Sequence, residues 1–158
     1  MTTTIIVLSD SHGDNKIIDK ILTNNHYDYA IIAGDYTCDP NFINQRFNYV
    51  VRGNNDFDAN PDELTFEIAG FKFHLQHGHL IGSYFQLDNY QYMHRVLKEK
   101  KVDILIHGHT HVSKIFDYPE GIVLNPGSPT FPRGGTKKSY AKITIEGTKI
   151  NCEIINLE

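Results

Sequence analysis

Residues 3–13 read TTIIVLSDSHG, an apolar and largely β-branched run that stops abruptly in a polar loop. A continuous run of this kind is typical of a strand whose two faces are both buried. A helix is expected after the loop, because Asp14 or Asn15 can cap it and apolar residues recur at helical spacing. Those apolar residues are Ile17, Ile18, Ile21 and Leu22.

Two further apolar runs end in the same way. Residues 29–33 lead into Gly34-Asp35, and residues 49–51 lead into RGNND at 52–56. Strands that follow one another in such units favour a parallel sheet, in which the strand ends share one edge. The first third of the chain therefore predicts a parallel α/β arrangement.

The rest of the chain predicts strands around one further helix. Residues 65–68 and 71–75 flank a two-residue turn as a hairpin, and residues 88–101 carry an apolar helical face. Further strands are expected at 102–106, 112–116, 121–124, 140–146 and 149–156, the last two as a hairpin. We therefore expect an α/β fold, with antiparallel strands after the parallel start, built as a two-sheet β-sandwich flanked by helices.

Composition narrows the class of protein. The chain has 158 residues, enough for one domain spanning 1–158. It has no apolar run of the roughly 20 residues that a membrane-spanning helix needs, and no signal peptide, so we expect a cytoplasmic protein without a membrane partner. A net charge of -4 argues against a broad basic groove for nucleic acid. Cys38 and Cys152 are too isolated for a disulfide framework or a thiolate metal site.

Side chains that can bind metal ions collect at five of the predicted strand ends. Ligands of open α/β sheets bind beside such ends, so these side chains are expected to meet. Carboxylate, amide and imidazole donors without thiolate favour manganese, iron, zinc or nickel. Seven donors exceed what one ion needs and fit two ions that share a carboxylate. The donors are Asp10, His12, Asp35, Asn54, His77, His109 and His111.

Each motif has a simpler explanation when it stands alone. Asp10 and His12 in a serine-rich loop could serve a turn and a helix cap, and Gly34-Asp35 is a common way to end a strand. A single histidine such as His77 is more often a hydrogen-bonded residue than a ligand. These explanations do not account for all the polar groups at strand ends, so metal binding is the better joint interpretation.

Together the motifs resemble one family, the calcineurin-like metallophosphoesterases, and more narrowly their small bacterial and archaeal phosphodiesterase branch. The resemblance runs over nearly the whole chain and keeps the family's order. The matching blocks are DSHG at 10–13, GD at 34–35, GNND at 53–56, HGH at 77–79, GHTH at 108–111 and NPGS at 125–128.

The resemblance implies a dinuclear site and assigns its ligands. One ion would be held by Asp10, His12 and His111, the other by Asn54, His77 and His109, with Asp35 bridging them. His79 and His107 would not be ligands. Two divalent ions per chain are implied, manganese first, with nickel, zinc, iron or magnesium as alternatives. The reaction would be hydrolysis of a small phosphate ester, most often a diester, by metal-activated hydroxide.

Asn55 marks a departure from the wider superfamily, where many members carry a histidine at this position that can protonate the leaving alkoxide. An amide cannot act as a general acid at neutral pH, although it can donate a hydrogen bond. Asn55 is therefore a candidate catalytic residue that would donate a hydrogen bond instead of a proton. Esters with poor leaving groups should then react slowly. His79 is the alternative source of the proton.

Two other functions stay open. Phosphomonoester hydrolysis is closely related, and a protein-binding role is possible because the fold resembles the retromer scaffold subunit, whose metal site is degraded. A homodimer is the default expectation for the oligomeric state.

Arg133 could contact a phosphate, although a surface role in a glycine-rich loop is the simpler explanation. Tyr36, Phe57, Tyr84 and Phe85 could shape a pocket near the metals, although aromatic residues in such places most often belong to the core.

Overall fold

The structure, a computed structural model, describes residues 1–157. Ten strands and four helices follow one another along this part of the chain. In order they are β1 Thr2–Leu8, α1 Asn15–Thr23, β2 Tyr29–Ile32, α2 Pro40–Arg46, β3 Tyr49–Val50, β4 Glu63–Ile68, β5 Phe71–Gln76, α3 Tyr84–Leu87, α4 Tyr90–Lys100, β6 Ile104–Ile106, β7 Lys114–Tyr118, β8 Gly121–Asn125, β9 Ser139–Glu146 and β10 Lys149–Asn156.

The strands form two five-stranded mixed sheets. The first has the order β10-β9-β1-β2-β3, with β1, β2 and β3 parallel and the β9-β10 hairpin antiparallel. The second has the order β4-β5-β6-β8-β7. The expected two-sheet sandwich with flanking helices is confirmed.

The alternating faces of β1 explain why its sequence is continuously apolar. Ile5 and Val7 pack into the core between the sheets, where they join Phe73 and Leu75 of the second sheet. Ile6 and Leu8 point the other way, into a layer with Ile18, Ile21 and Leu22 of α1. On the far side of the molecule, α4 packs Met93 and Leu97 against the second sheet. Both faces of each sheet are thus covered, and four layers result.

Three local expectations were wrong. The second sheet is not simply antiparallel, because β5, β6 and β8 run parallel, with α3 and α4 crossing over between β5 and β6. The helix predicted at 88–101 begins at Tyr90, since Asn89 caps it, and residues 84–87 form the separate helix α3. Helix α2 was not expected. Asp39 caps it and Pro40 opens it, but only Ile43 is buried, so the apolar signal is weak.

Within residues 1–157, no helix combines the length and the apolar character that a membrane span requires.

Candidate metal centre

The loops after β1 and β2 stay paired beyond the ends of the strands. The backbone N–H of Asp10 donates to the carbonyl of Gly34, and that of His12 donates to the carbonyl of Asp35, both at 2.9 Å. In the second sheet, the N–H of Gly108 likewise donates to the carbonyl of His77 at 2.9 Å. This continued pairing brings the predicted donors of separate loops to one edge of the sandwich.

Asp10, His12 and His111 form what we call the first donor group, with one ligand atom each within 4.8 Å of the others. Nε2 of His12 lies 3.1 Å from Nε2 of His111. Oδ1 of Asp10 lies 3.2 Å from Nε2 of His111 and 3.7 Å from Nε2 of His12. These separations suit three ligands of one ion.

Asp35, His77 and His109 form the second donor group under the same 4.8 Å limit. Nε2 of His77 lies 3.3 Å from Oδ2 of Asp35 and 3.2 Å from Nδ1 of His109. Asp35 also reaches the first donor group, because its Oδ2 is 3.9 Å from Nε2 of His12. Asp35 therefore lies where a carboxylate shared by two ions would lie.

The six aspartate and histidine residues among the seven predicted ligands thus come together in the two donor groups. The side chain of Asn54 is exposed, and within residues 1–157 no hydrogen bond ties it to the six. Asn55, its neighbour, contacts the site directly. Its backbone N–H donates to Oδ1 of Asp35 and its side-chain amide donates to Oδ2, both at 2.9 Å.

Two histidines are oriented so that Nε2 of each points into the site. Nδ1 of His77 lies 2.6 Å from the carbonyl of Ala33, and Nδ1 of His111 lies 2.6 Å from the carbonyl of Phe131. A carbonyl oxygen only accepts, so each Nδ1 carries a proton and each Nε2 faces the donor groups. This second contact is the usual means of orienting a metal-binding histidine.

A buried oxygen supports the same conclusion. Asp10 is fully buried, and among the described residues its Oδ1 has no hydrogen-bond donor. His111 is close but not aligned for a hydrogen bond. An unpaired buried carboxylate oxygen is costly unless a cation neutralises it. The donor set therefore fits a divalent metal ion, and two groups that meet at Asp35 fit a pair.

The electrostatics of the site also favour positive charge. Burial raises the pKa of Asp10, but the imidazoles of His111 and His12 outweigh it and hold that pKa well below its usual range. The pKa of Asp35 is likewise lowered, because contacts with His77 and Asn55 overcome burial. Burial opposes protonation of His77, yet Asp35 and Asp10 raise its pKa. Both carboxylates are therefore ionised and ready to bind a cation.

Backbone conformation aims these side chains. Five of the predicted ligands adopt positive φ angles, a region that costs non-glycine residues roughly 1–3 kcal/mol each. Such strain persists only where the surroundings hold it, and it is concentrated at functional sites. The five are Asp10 (58°), His12 (45°), Asp35 (53°), His109 (74°) and His111 (62°).

Three buried polar residues that sequence reasoning gave no role support the loops. Asp56 accepts hydrogen bonds from the backbone N–H of Asp35 at 2.6 Å and of Thr37 at 2.9 Å. Ser128 donates to the carbonyl of Asp10 at 2.8 Å. Asn125 donates to Thr110 at 2.9 Å, within the loop that carries His109 and His111. All three belong to the family-like blocks GNND at 53–56 and NPGS at 125–128. Their place in these blocks was the sequence signal that could have indicated a role at the site.

His107 and His79 lie outside both donor groups. His107 is buried, its Nδ1 lies 3.0 Å from the carbonyl of Gly108, and burial lowers its pKa to about 4. The ring of His79 is 5.6 Å from that of His77, and its pKa is lowered by burial and by the charge of His77. Neither ring belongs to a donor group, and that of His79 lies beside His77.

The four aromatic residues expected mainly in the core do not behave alike. Tyr36 is fully buried, but Phe57 and Phe85 are 93% and 90% exposed. Tyr84 is half exposed and its ring lies 4.7 Å from that of His109. The core expectation is therefore wrong for three of the four, because they stand on loops and on the short helix α3 rather than on strands.

Two cavities adjoin the candidate centre and share no lining residue. The first, the Asn55 cavity, measures about 580 Å³ and is lined by Asn55, Phe57 and Cys38 among others. The second, the Arg133 cavity, measures about 520 Å³. It is lined by His12, His111, Thr130, Phe131, Pro132 and Arg133. The first cavity lies beside Asn55, which contacts Asp35, and the second lies beside His12 and His111.

Comparison with known proteins agrees with the site. The family model of the calcineurin-like phosphoesterase superfamily domain matches residues 3–148. A protein of Mycoplasma pneumoniae named "Probable metallophosphoesterase" is 31% identical over 151 residues, 94% of this chain and 94% of that protein. A predicted phosphoesterase from Streptococcus pneumoniae, known from its crystal structure, has a TM-score of 0.84 at 30% identity and covers 99% of this chain and 90% of its own.

A more distant solved structure shows the fold alone. Vacuolar Protein Sorting 29 from Cryptosporidium parvum has a TM-score of 0.82 at 19% identity, over 99% of this chain and 92% of its own. The family match and the two donor groups together indicate the use of divalent metal ions. The chain belongs to the calcineurin-like phosphoesterase superfamily.

Proposed function

We propose that this protein is a dinuclear metal-dependent phosphodiesterase that hydrolyses small phosphate esters. The observation that carries the proposal is the meeting of two donor groups at Asp35, whose Oδ2 lies 3.3 Å from His77 and 3.9 Å from His12. Membership of the phosphoesterase superfamily supports the reaction class. No nucleophilic serine or cysteine is required.

The ligands would divide between the two groups. Asp10, His12 and His111 would hold one ion, His77 and His109 the other, and Asp35 both. Asn54, whose side chain is exposed, would complete the second set. When bound, a pair of divalent ions supplies a water of lowered pKa and neutralises the charge that develops on phosphoryl oxygens. Manganese is the first choice for this donor set, with nickel, zinc, iron and magnesium as alternatives.

Residues of the chain position the reacting groups. Asn55 fixes the carboxylate of Asp35 through two hydrogen bonds, so that both oxygens keep a set direction. The carbonyls of Ala33 and Phe131 orient His77 and His111. Asn55 can donate a hydrogen bond but no proton, so the leaving group must depart without a general acid at this position. We therefore expect high rates only with good leaving groups.

The two cavities favour a diester over a monoester. A phosphodiester carries two organic groups, and the Asn55 cavity and the Arg133 cavity offer a separate space for each. A monoester would leave one of these spaces filled with water. The preference for diesters rests on this shape.

Metal removal and replacement test the proposal. Protein stripped of metal should hydrolyse neither bis(p-nitrophenyl) phosphate nor p-nitrophenyl phosphate, and manganese should restore turnover with the higher kcat/KM on the diester. His109→Ala should abolish the recovery, whereas His26→Ala, which changes an exposed histidine, should keep it. Activity that survives complete metal removal would contradict the proposal.

A protein-binding role is the second candidate, favoured by the likeness in fold to Vacuolar Protein Sorting 29. In the present chain, the large exposed apolar side chains, Phe57 and Phe85 above all, provide a surface for such contacts. The six converging donors argue against a site that has lost its metals. Tight binding of two ions without turnover of any ester would favour this second role.

A further inference from the structure

Arg133 is fixed to the loop that carries a predicted ligand. Its backbone N–H donates to the carbonyl of His111 at 3.0 Å. Its own carbonyl accepts from the hydroxyl of Thr136 at 2.7 Å and from the N–H of Thr136 at 3.1 Å. The backbone at Arg133 therefore keeps a set distance from the first donor group.

The side chain of Arg133 extends towards the second donor group. Its guanidinium carbon lies 6.0 Å from the centre of the Tyr84 ring, within the range of a cation–π contact. The same ring lies 4.7 Å from the ring of His109. The ring of Tyr84 thus lies near both a predicted ligand and the cation, which puts the guanidinium beside the centre.

The charge of Arg133 is free to meet a ligand. Arg46 and Arg52 pair with Asp19 at 2.6 Å and with Asp62 at 2.8 Å. Among the described residues, no carboxylate lies within ion-pair distance of Arg133. The guanidinium is exposed and lines the Arg133 cavity with His12 and His111. An exposed planar fork of donors at this place suits a carboxylate or a phosphate.

The phosphoryl group that reacts would already lie against two cations. Arg133 approaches the centre across the ring of Tyr84, so an anion at the guanidinium would belong to a more distant part of the substrate. Phe131 lines the same cavity, 57% exposed and with its ring 6.0 Å from that of His12. Its exposed face offers an apolar surface for the organic part that joins two anionic groups.

We propose that Arg133 is a specificity-determining residue that binds a second anionic group of the substrate, one organic linker away from the reacting phosphate. This inference rests on the proposed function and names its substrate class: phosphoesters that carry a further phosphate or carboxylate. Simple diesters without that group would be hydrolysed but bound more weakly. Recognition of the second anion would appear in KM rather than in kcat.

Binding of anions that cannot be hydrolysed tests the inference without turnover. Isothermal titration calorimetry on the manganese-loaded protein, without excess metal, would compare 3-phosphonopropionate, whose carboxylate lies one organic linker from its phosphonate, with ethylphosphonate, which lacks the carboxylate. Arg133→Gln should weaken 3-phosphonopropionate binding roughly tenfold or more, because charge-assisted hydrogen bonds are lost. Ethylphosphonate binding should change by less than about threefold. Arg95→Gln is the matched control, since Arg95 also lies over a tyrosine, at 5.6 Å from the ring of Tyr92, in a groove without predicted ligands.

A matched pair of esters tests the same residue by kinetics. The p-nitrophenyl ester of thymidine 5′-phosphate would be compared with the same ester carrying a 3′-phosphate. Wild-type protein should show the lower KM for the 3′-phosphorylated ester, and Arg133→Gln should remove that advantage while Arg133→Lys keeps part of it.

The outcomes separate this inference from the proposed function. Equal weakening of ethylphosphonate and 3-phosphonopropionate binding by Arg133→Gln, or no weakening of either, would overturn the role of Arg133. A lack of ester hydrolysis by the wild-type protein would instead contradict the proposed function, and calorimetry would still decide whether Arg133 binds the second anion.

Discussion

The carboxylate of Asp56 accepts a 2.6 Å hydrogen bond from the backbone N–H of Asp35, the residue at which the two donor groups meet. The same oxygen accepts from Gly53 at 2.7 Å, and the other oxygen accepts from Thr37 at 2.9 Å. Asp35 and Thr37 both adopt positive φ, at 53° and 43°. One buried side chain therefore holds the strained turn that places the shared carboxylate.

Asp56→Ala should destabilise the fold and loosen the site. Three backbone N–H groups would lose their acceptor, and we expect the free energy of unfolding to fall by about 2–4 kcal/mol. Urea denaturation would measure the loss. Asp28→Ala is the control, because this exposed residue accepts a single backbone hydrogen bond, from Thr4, and should cost less than about 1 kcal/mol. Equal losses in the two variants would contradict the special position of Asp56.

Gly53→Ala should impair the site more than the fold. A Cβ at this position would overlap Oδ1 of Asp35 and come within 2.6 Å of its backbone nitrogen. The shared carboxylate would have to move, and a displacement of about 1 Å can lower the rate by roughly 10²-fold. Manganese affinity, measured by calorimetry, and kcat should both fall.

Gly147→Ala is the matched control for that substitution. Gly147 has a positive φ of 62° in the β9-β10 turn, but a Cβ there meets no atom within 4 Å. The variant should lose about 1 kcal/mol of stability and keep its metal affinity and turnover. If Gly53→Ala retained full manganese affinity, the close packing of Gly53 on Asp35 would have no role in metal binding.

Asn55→His should extend hydrolysis to esters with poor leaving groups. The backbone N–H of residue 55 would still donate to Asp35, while the imidazole could supply a proton to the leaving oxygen. The ratio of turnover on dimethyl or diphenyl phosphate to turnover on bis(p-nitrophenyl) phosphate should rise by about 10²-fold. An unchanged ratio in a variant that still binds two metal ions would count against a missing general acid at this position.

Much of the architecture could be predicted because buried faces of strands and helices place apolar residues at regular spacings in the sequence. The run at residues 3–8 is apolar on both faces because β1 lies between α1 and the second sheet. The parallel pairing of β1 and β2 then placed Asp10, His12 and Asp35 at one edge, so their meeting followed from topology. Helix α2 could not be predicted in this way, since it has one buried residue and therefore no repeating apolar spacing.

The supporting contacts could not be predicted, because they arise between loops that are distant in sequence. The hydrogen bonds from Asp35 and Thr37 to Asp56 depend on positive φ angles at non-glycine residues, which no sequence pattern marks. The exposure of Phe57 and Phe85 was missed because an aromatic residue beside strands usually indicates a core. Arg133 was read as a surface residue, and only its contacts with His111 and Tyr84 give it a place near the centre.

The most direct test of a shared carboxylate is electron paramagnetic resonance of the manganese-loaded protein, with metal content measured on the same samples. Two ions bridged by Asp35 should give two manganese ions per chain and an exchange-coupled spectrum, and Asp35→Asn should lose the coupling together with hydrolysis of bis(p-nitrophenyl) phosphate. One manganese ion per chain in the wild-type protein, or two ions whose coupling survives Asp35→Asn, would contradict the account.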